Sequence, residues 1–402
     1  MKKAKVKGSG FLKFSHRVVF FFVKILAFLY SRIFLGYRCR DFYKIKKGES
    51  VIVLSNHQTD FDMFCIMTSF NKPVYPIATD NIFAGKFRSK LFSHLGVIPK
   101  KKGATDVKTT MAMIRRLRDG CSILLFPEGN RYYAEFQYYI TPSLAKFIKH
   151  SGATLVLFNL HGGSGISPRF KRKNRRGKFY GNIGRVLTPA EYEQMSCEEL
   201  GDAINGGIRV YDSDSGERYK SRSRAEYLER MFFVCPACGA IESIYSEGAR
   251  VKCRKCGLDV EYGEDLKFHS TDEKFKFTRL VDWWEYQKKA VRKMHVGDGV
   301  IFSDRDVKLF MSDPFEKRKL LSRGDVSLDK TALLCGDFSV SVGDIECASV
   351  VSGRNLTFSC AGHDYTLRGG KRFNPIKYAL MFNKLETKMA AAHSDKYFNL
   401  EE

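Results

Sequence analysis

At 402 residues the chain is long enough for two or three domains, and its mixed composition speaks for folded, core-burying structure rather than disorder. Lys and Arg number 68 against 44 Asp and Glu, a formal charge of +24, which turns the surface toward polyanions: nucleic acid, anionic lipid headgroups or phosphorylated substrates. No segment has the charged start, short apolar core and small-residue cleavage site of a secretory signal peptide in the usual order, so export is not expected. Most of the eleven cysteines should therefore be reduced. Only four of them fall in a regular pattern, which favours a metal site plus scattered thiols over a disulfide framework.

The first element is predicted over Phe11 to Leu35, where Val18 to Leu35 is apolar except for Lys24, Ser31 and Arg32. A mid-helix lysine costs about 2.5 to 3.5 kcal/mol on insertion scales, which disfavours a spanning helix without excluding it. At about 100° per residue, Lys13, Arg17, Lys24 and Ser31 share a stripe, with Phe22, Ile25, Leu26, Leu29 and Ile33 opposite. The expectation over residues 1–40 is a membrane-associating helix lying in the interface, the alternative being a core helix whose charges reach solvent.

From residue 41 to 210, short apolar runs alternate with amphipathic stretches. Val51 to Ser55, Val74 to Ala78, Ser122 to Phe126 and Thr154 to Leu160 read as strands. Stretches beginning near Phe61, Val107 and Pro142 read as helices, two of them closed by Gly120 and Gly152. This alternation predicts an α/β layer with a mostly parallel sheet. Pro168 to Gly184 is a dense basic run and Val210 to Arg224 is polar; both read as surface, the segment 211–230 as a linker. A ribbon-like module follows over 231–262. The stretch 275–392 reads as β-rich with a closing helix near Asn374 to Lys388, loosely like a PH barrel. Trp283 and Trp284, on an amphipathic stretch, read as core residues. His94, His150 and His161 have no evident partner in the sequence.

Three constellations carry chemistry. In the first, Asn56-His57-Gln58-Thr59-Asp60-Phe61-Asp62 follows a strand and precedes a helix, the place where α/β folds put reactive groups. A carboxylate five residues away across a turn can accept a hydrogen bond from one imidazole nitrogen and leave the other as a general base. On spacing alone, a solvated turn histidine is the plainer reading. In the second, Phe126-Pro127-Glu128-Gly129-Asn130-Arg131 packs a carboxylate, a glycine and a guanidinium into one turn after a strand. Gly129 permits close approach, Arg131 offers a fork matched to phosphate, and Glu128 can orient that arginine or an acceptor. Its plain reading is an ordinary turn with a local ion pair.

Together these two blocks, in this order, resemble the glycerolipid acyltransferase family typified by 1-acylglycerol-3-phosphate acyltransferases, over roughly Leu35 to Leu200. The resemblance implies that His57 deprotonates the acceptor hydroxyl, that Asp62 orients His57, and that the hydroxyl attacks an acyl thioester directly. It also implies an acyl-carrier-protein or coenzyme A thioester as donor, a lysophospholipid as acceptor, and a membrane-associated enzyme whose active site faces the cytoplasm. An anionic membrane surface would then meet the basic run from Arg169 to Lys178. Where the family often carries a glycine followed by an arginine, Gly96 is followed by Lys100, Lys101 and Lys102, so Lys100 and Lys102 are the expected phosphate contacts, as point charges rather than forks. Glycerol 3-phosphate and other lysophospholipids are the alternative acceptors.

The third constellation pairs Cys235-Pro236-Ala237-Cys238-Gly239 with Cys253-Arg254-Lys255-Cys256-Gly257, the two knuckles of a zinc-ribbon-like site. Four thiolates close a tetrahedron and leave no position for substrate, so a structural zinc is expected, with iron the main competitor. No redox or nucleotide cofactor is expected. The ribbon and the charge also suit a nucleic-acid-binding protein, but the amphipathic N-terminus and the His57 block have no use there, which makes nucleic acid the disfavoured partner.

Overall fold

The computed structural model describes residues 14–79, 86–100, 107–131, 133, 135, 142–312 and 318–385. Lys102 lies outside them, as does the chain beyond residue 385. The described residues fall into two compact units, one within Met1–Tyr132, Gln137–Ile166 and Gly177–Ser215, the other within Tyr133–Phe136, Ser167–Arg176 and Gly216–Glu402.

In the first unit the elements run α1 (Phe14–Phe34), β1 (Tyr37–Cys39), β2 (Val51–Ser55), α2 (Asp62–Met67), β3 (Val74–Thr79), α3 (Lys86–His94), β4 (Ile98–Lys100), α4 (Val107–Arg118) and β5 (Ser122–Leu125). They continue with α5 (Pro142–Ser151), β6 (Thr154–His161), α6 (Gly163–Ile166), β7 (Phe179–Leu187), α7 (Pro189–Glu193) and α8 (Cys197–Gly207). The strands form one sheet in the order β1-β7-β6-β2-β5-β3-β4. Pairing is parallel throughout except between β6 and β7. β2 sits at the centre, and all five of its residues are buried, as an uninterrupted apolar run between two parallel neighbours requires. Its Ile52 and Leu54 pack in one core with Leu155 and Leu157 of β6, Leu117 of α4, Ile148 of α5 and Ile204 of α8. Each such side chain contributes about 1.5 to 3 kcal/mol through burial. Gly120, at φ +78°, ends α4: its amide and that of Cys121 bond back to the Leu117 and Arg116 carbonyls, which closes the helix and turns the chain into β5.

α1 is amphipathic in the reverse sense to a water-soluble helix. Its inward stripe holds Phe20, Ala27 and Ser31, all buried, together with half-buried Lys24, whose ammonium donates to the Phe70 carbonyl. Phe21, Phe22, Ile25, Leu26, Phe28, Leu29, Ile33 and Phe34 face outward and are 41–69% exposed. Among the described residues, no helix is long and apolar enough to cross a membrane.

The second unit contains β8 (Ile244–Glu247), β9 (Arg250–Cys253), β10 (Asp259–Tyr262) and β11 (Phe268–His269), which form a sheet in the order β11-β10-β9-β8. After α9 (Leu280–Lys293) come β12 (Phe302–Ser312), β13 (Lys319–Leu328), β14 (Ala332–Cys335), β15 (Phe338–Ser341), β16 (Ile345–Val351), β17 (Asn355–Cys360), β18 (His363–Arg368) and α10 (Pro375–Lys384). Those seven strands are antiparallel, in the order β15-β14-β13-β12-β18-β17-β16, with β18 returning to pair with β12. Trp283 and Trp284 are both fully buried; Trp283 stacks on Phe232 at 4.5 Å and donates its indole N–H to the Val234 carbonyl.

Two expectations from composition need correction. Within the basic run, Arg172, Lys173, Arg176 and Lys178 are exposed, but Arg169 and Arg175 are buried. Arg169 lies over the Tyr133 ring at 3.7 Å and donates to the Val350 carbonyl, and Arg175 lies 5.4 Å from both the Phe170 and Tyr262 rings. A planar guanidinium with an apolar stem tolerates such burial when rings and carbonyls surround it. The run also passes directly into β7, with Phe179 buried. Residues 211–230 are likewise packed rather than an exposed spacer, with Asp212, Tyr219, Ala225 and Leu228 all buried.

Candidate active site

β2 and β5 are parallel neighbours, with Leu54 opposite Leu125. The turns that follow them therefore emerge side by side at the carboxyl end of the sheet, although they lie some seventy residues apart in sequence. The His57 and Phe126 rings stack at 4.1 Å with 17° between their planes.

Asp62 opens α2 and is fully buried. Its Oδ2 lies 2.8 Å from His57 Nδ1 and accepts from the amides of Gln58 and Thr59 at 2.5 and 2.8 Å, while its Oδ1 accepts from the Thr59 hydroxyl at 2.5 Å. Donors on both oxygens hold the carboxylate in one orientation. With Nδ1 engaged, Nε2 is the ring atom left for a substrate proton, on a side chain 23% exposed. Asn56 anchors the turn from the other side: its amide donates to the Leu160 carbonyl and accepts from the Leu160 amide, both at 2.8 Å, tying the end of β2 to β6.

In the second block, Gly129 at φ +72° donates its amide to the Phe126 carbonyl at 3.0 Å, which folds the turn tightly enough to bring Arg131 back toward β2. Arg131 is buried. Its Nε donates to the Gln58 carbonyl at 3.0 Å and its NH1 pairs with Asp60 at 2.8 Å. Glu128 is half-buried on the same turn and Gly129 is exposed. Lys100 ends β4, level with Asn56 by strand register but two strands further across the sheet than β5, about 14 Å from β2 at the usual strand spacing, and exposed.

Several residues of this site carried no role in the sequence reading. Asn56, Gln58, Thr59 and Asp60 stood inside the quoted block without one, and Asp212 stood in the supposed linker. The Asp212 carboxylate accepts from Gln58 Nε2, the Gly162 and Ser164 amides and the Ser164 hydroxyl. Burial pushes its carboxyl above the ordinary range, with the Ser164 and Gly162 hydrogen bonds pulling it back. A polar residue in a polar stretch gives no periodic signal of burial, so nothing in the sequence singled it out.

A model of the acyltransferase family matches residues 37–157. This stretch is an acyltransferase domain. It contains β1 to β5 with the His57 and Glu128 turns, and half of β6, so the family resemblance of the His57 and Glu128 blocks is borne out. No curated protein sequence matches the chain. Among solved structures, the 1-acyl-sn-glycerophosphate (LPA) acyltransferase PlsC of Thermotoga maritima is similar to it, at 17% identity and a TM-score of 0.42, covering 48% of this chain and 78% of that one. A cavity of about 780 Å³ opens under α1, lined among others by Phe20, Lys24, Phe28, Tyr75 and Cys121. It lies at the amino-terminal ends of β3 and β5, whereas the His57 and Glu128 turns follow the carboxyl ends of β2 and β5.

In the second unit, the Cys235, Cys238, Cys253 and Cys256 sulfurs all lie within 4.8 Å of one another, with Cys235 to Cys256 at 3.7 Å and Cys238 to Cys253 at 3.9 Å. A tetrahedron of thiolates about 2.3 Å from a metal has edges of about 3.8 Å, so the donor set fits a tetrahedral ion. Gly239 and Gly257, at φ +69° and +74°, donate their amides to the Cys235 and Cys253 carbonyls and close the two knuckles.

Proposed function

We propose that this protein transfers an acyl chain from an acyl thioester, acyl-ACP or acyl-CoA, to the free hydroxyl of a lysophosphatidic-acid-like acceptor at a membrane surface. The observation that carries this reading is the His57–Asp62 pair at the carboxyl end of the sheet, inside the acyltransferase domain. With Asp62 accepting from Nδ1–H, His57 Nε2 takes the proton of the acceptor hydroxyl as its oxygen attacks the thioester carbonyl. The tetrahedral adduct collapses with loss of the thiolate. The imidazolium returns its proton to that sulfur, so the histidine is regenerated and no acyl-enzyme is required. Asp62, accepting hydrogen bonds on both oxygens, stabilises the imidazolium that forms in between.

The acceptor and its diacyl product reside in a bilayer, and α1 suits that location. Its outward apolar face would bury in the interface, and its Tyr30 packs on Phe61 of the catalytic turn at 4.7 Å, a contact that would keep that turn near the lipid boundary. Exposed Arg32 near the end of α1, and exposed Arg38 and Arg40 beyond it, suit anionic headgroups. Arg131 and the lysines from Lys100 onward are the candidate contacts for the acceptor phosphate, and Glu128 can orient that arginine or the acceptor. The cytoplasmic side supplies the thioester donor.

For the cysteine cluster we infer a structural zinc. Thiolates at all four corners leave no open position for substrate, and the ion would hold the two knuckles that frame β8 and β9.

Acyl transfer by the purified full chain, with lysophosphatidic acid in mixed micelles and acyl-CoA or acyl-ACP, tests the reading. His57→Ala and Asp62→Asn should each lower kcat by about three orders of magnitude or more. Undiminished turnover in His57→Ala would sink the mechanism, and turnover only with another acceptor would move the substrate assignment.

A further inference from the structure

Asp212 lies beyond the matched acyltransferase stretch and 154 residues from Gln58, yet its carboxylate is 2% exposed and collects four donors. The Gly162 amide reaches Oδ1 at 2.7 Å. The Gln58 Nε2, the Ser164 amide and the Ser164 hydroxyl reach Oδ2 at 3.1, 3.2 and 2.5 Å. A buried carboxylate is tolerated only with such compensation, and the convergence fixes its orientation.

The connection to the chemistry runs through Gln58, which follows His57 in the chain and donates its backbone N–H to the Asp62 carboxylate that His57 also meets. All four of its polar groups are engaged: the side-chain Nε2 with Asp212, the side-chain Oε1 with the Gly163 amide at 2.8 Å, the backbone N–H with Asp62 Oδ2, and the backbone carbonyl with Arg131 Nε. The packing is as tight as the bonding. A Cβ at Gly163 would stand 2.6 Å from Gln58 Oε1 and 2.9 Å from Thr59 Cγ2, so no other residue fits there without moving the turn.

We propose that Asp212 is a positioning residue for acyl transfer: through Gln58 it locks the backbone of the catalytic turn, so that Asp62 and His57 keep their pairing, and it locks the Gly162–Ser164 segment against the same turn. The proposal rests on the general-base reading of His57. A carboxylate is needed because every neighbour is a donor. An asparagine would set its own amide N–H against either Gly162 or the Gln58 and Ser164 donors. Flipping the Gln58 amide in response only transfers the conflict to the Gly163 N–H, which then faces Nε2.

The test is steady-state acyl transfer by the full chain carrying Asp212→Asn, Gln58→Met or both, with thermal melting measured in parallel. Since a displacement of about 1 Å at the reacting groups costs up to about 100-fold, each single variant should lose about 10- to 100-fold in kcat. KM for the thioester should stay within about twofold, and melting should change little by comparison. Because both act on one lock, the double variant should be no slower than the slower single variant. If Asp212→Asn does not fold, Gln58→Met, which leaves Asp212 its other three donors, carries the same kinetic expectation. Undiminished kcat, losses that multiply in the double variant, or a loss seen only in KM or in melting would overturn the proposal. His57→Ala separates the two levels: an inactive His57→Ala beside a fully active Asp212→Asn removes the positioning role alone, whereas an active His57→Ala removes the base assignment and this role with it.

Discussion

Arg131 and Gln58, 73 residues apart in the chain, are joined by a buried hydrogen bond of 3.0 Å from the guanidinium Nε to the carbonyl oxygen. The arginine of the second motif thus braces the backbone of the first. Its NH1 meets Asp60, whose side chain is 65% exposed; an ion pair so open to water contributes little by itself. The geometric content lies in the Nε bond, and any role toward substrate phosphate falls to the rest of the fork.

Arg131→Lys keeps the positive charge and the reach to Asp60 but has no donor at the Nε position. It should lower kcat/KM by about 10- to 100-fold, the cost of leaving a buried carbonyl without its charged donor. Steady-state kinetics with both substrates varied would show this, and a lysine variant as active as the parent would mean that charge alone suffices.

The outward face of α1 should govern membrane affinity. Replacing Phe22, Leu26 and Ile33, 59%, 64% and 69% exposed, with serine removes on the order of 1 kcal/mol or more of interfacial burial per residue, or about 100-fold or more in partitioning. Flotation with vesicles containing anionic lipid measures it. Retained binding by the triple variant would place the attachment elsewhere.

Metal analysis of the purified chain should return one zinc per molecule, with iron as the outcome that changes the assignment. Cys238→Ser, or prolonged chelation, should unfold the ribbon around β8 and β9 and lower the melting temperature, because the energy of binding a structural ion is folding energy. Acyl transfer assayed on the same samples would report whether the ribbon matters to the reaction.

His161 stacks on Tyr180 at 4.6 Å, and its pKa is depressed by burial; Asp212 and a hydrogen bond with Asn182 oppose the shift, and Arg40 adds to it. Its folded-state pKa thus lies below the unfolded value of about 6.5, so the unfolded chain binds the extra proton first. Stability from this group is complete above about pH 6.5 and is lost as the pH falls toward the folded pKa. Asp212 has the opposite shift, raised by burial, so only the difference between variants isolates the histidine. His161→Gln should flatten the decline in melting temperature below about pH 6.5. An unchanged slope would assign that decline to other groups.

Much of the first unit was legible in the chain itself. Val51 to Ser55 coincides with β2, and the strands read at Val74, Ser122 and Thr154 and the helices read at Val107 and Pro142 begin where expected, because an apolar run or an amphipathic repeat states its own secondary structure locally. The His57–Asp62 spacing and the two Cys-x-x-Cys knuckles were equally visible, since in each the partners are separated by a single turn or hairpin. The sheet order, by contrast, sets the carboxyl ends of β2 and β5 side by side and brings Phe126 onto His57 and Arg131 onto Gln58. No local pattern encodes which strands are neighbours. Composition also misjudged single residues: Arg169 and Arg175 are buried within a basic run, and Asp212 within a polar one, because the burial of a charged group depends on the donors, acceptors and rings that distant segments bring to it. The same holds for α1. Its periodicity predicted two faces, but only packing showed that Lys24 and Ser31 point inward and the phenylalanines outward.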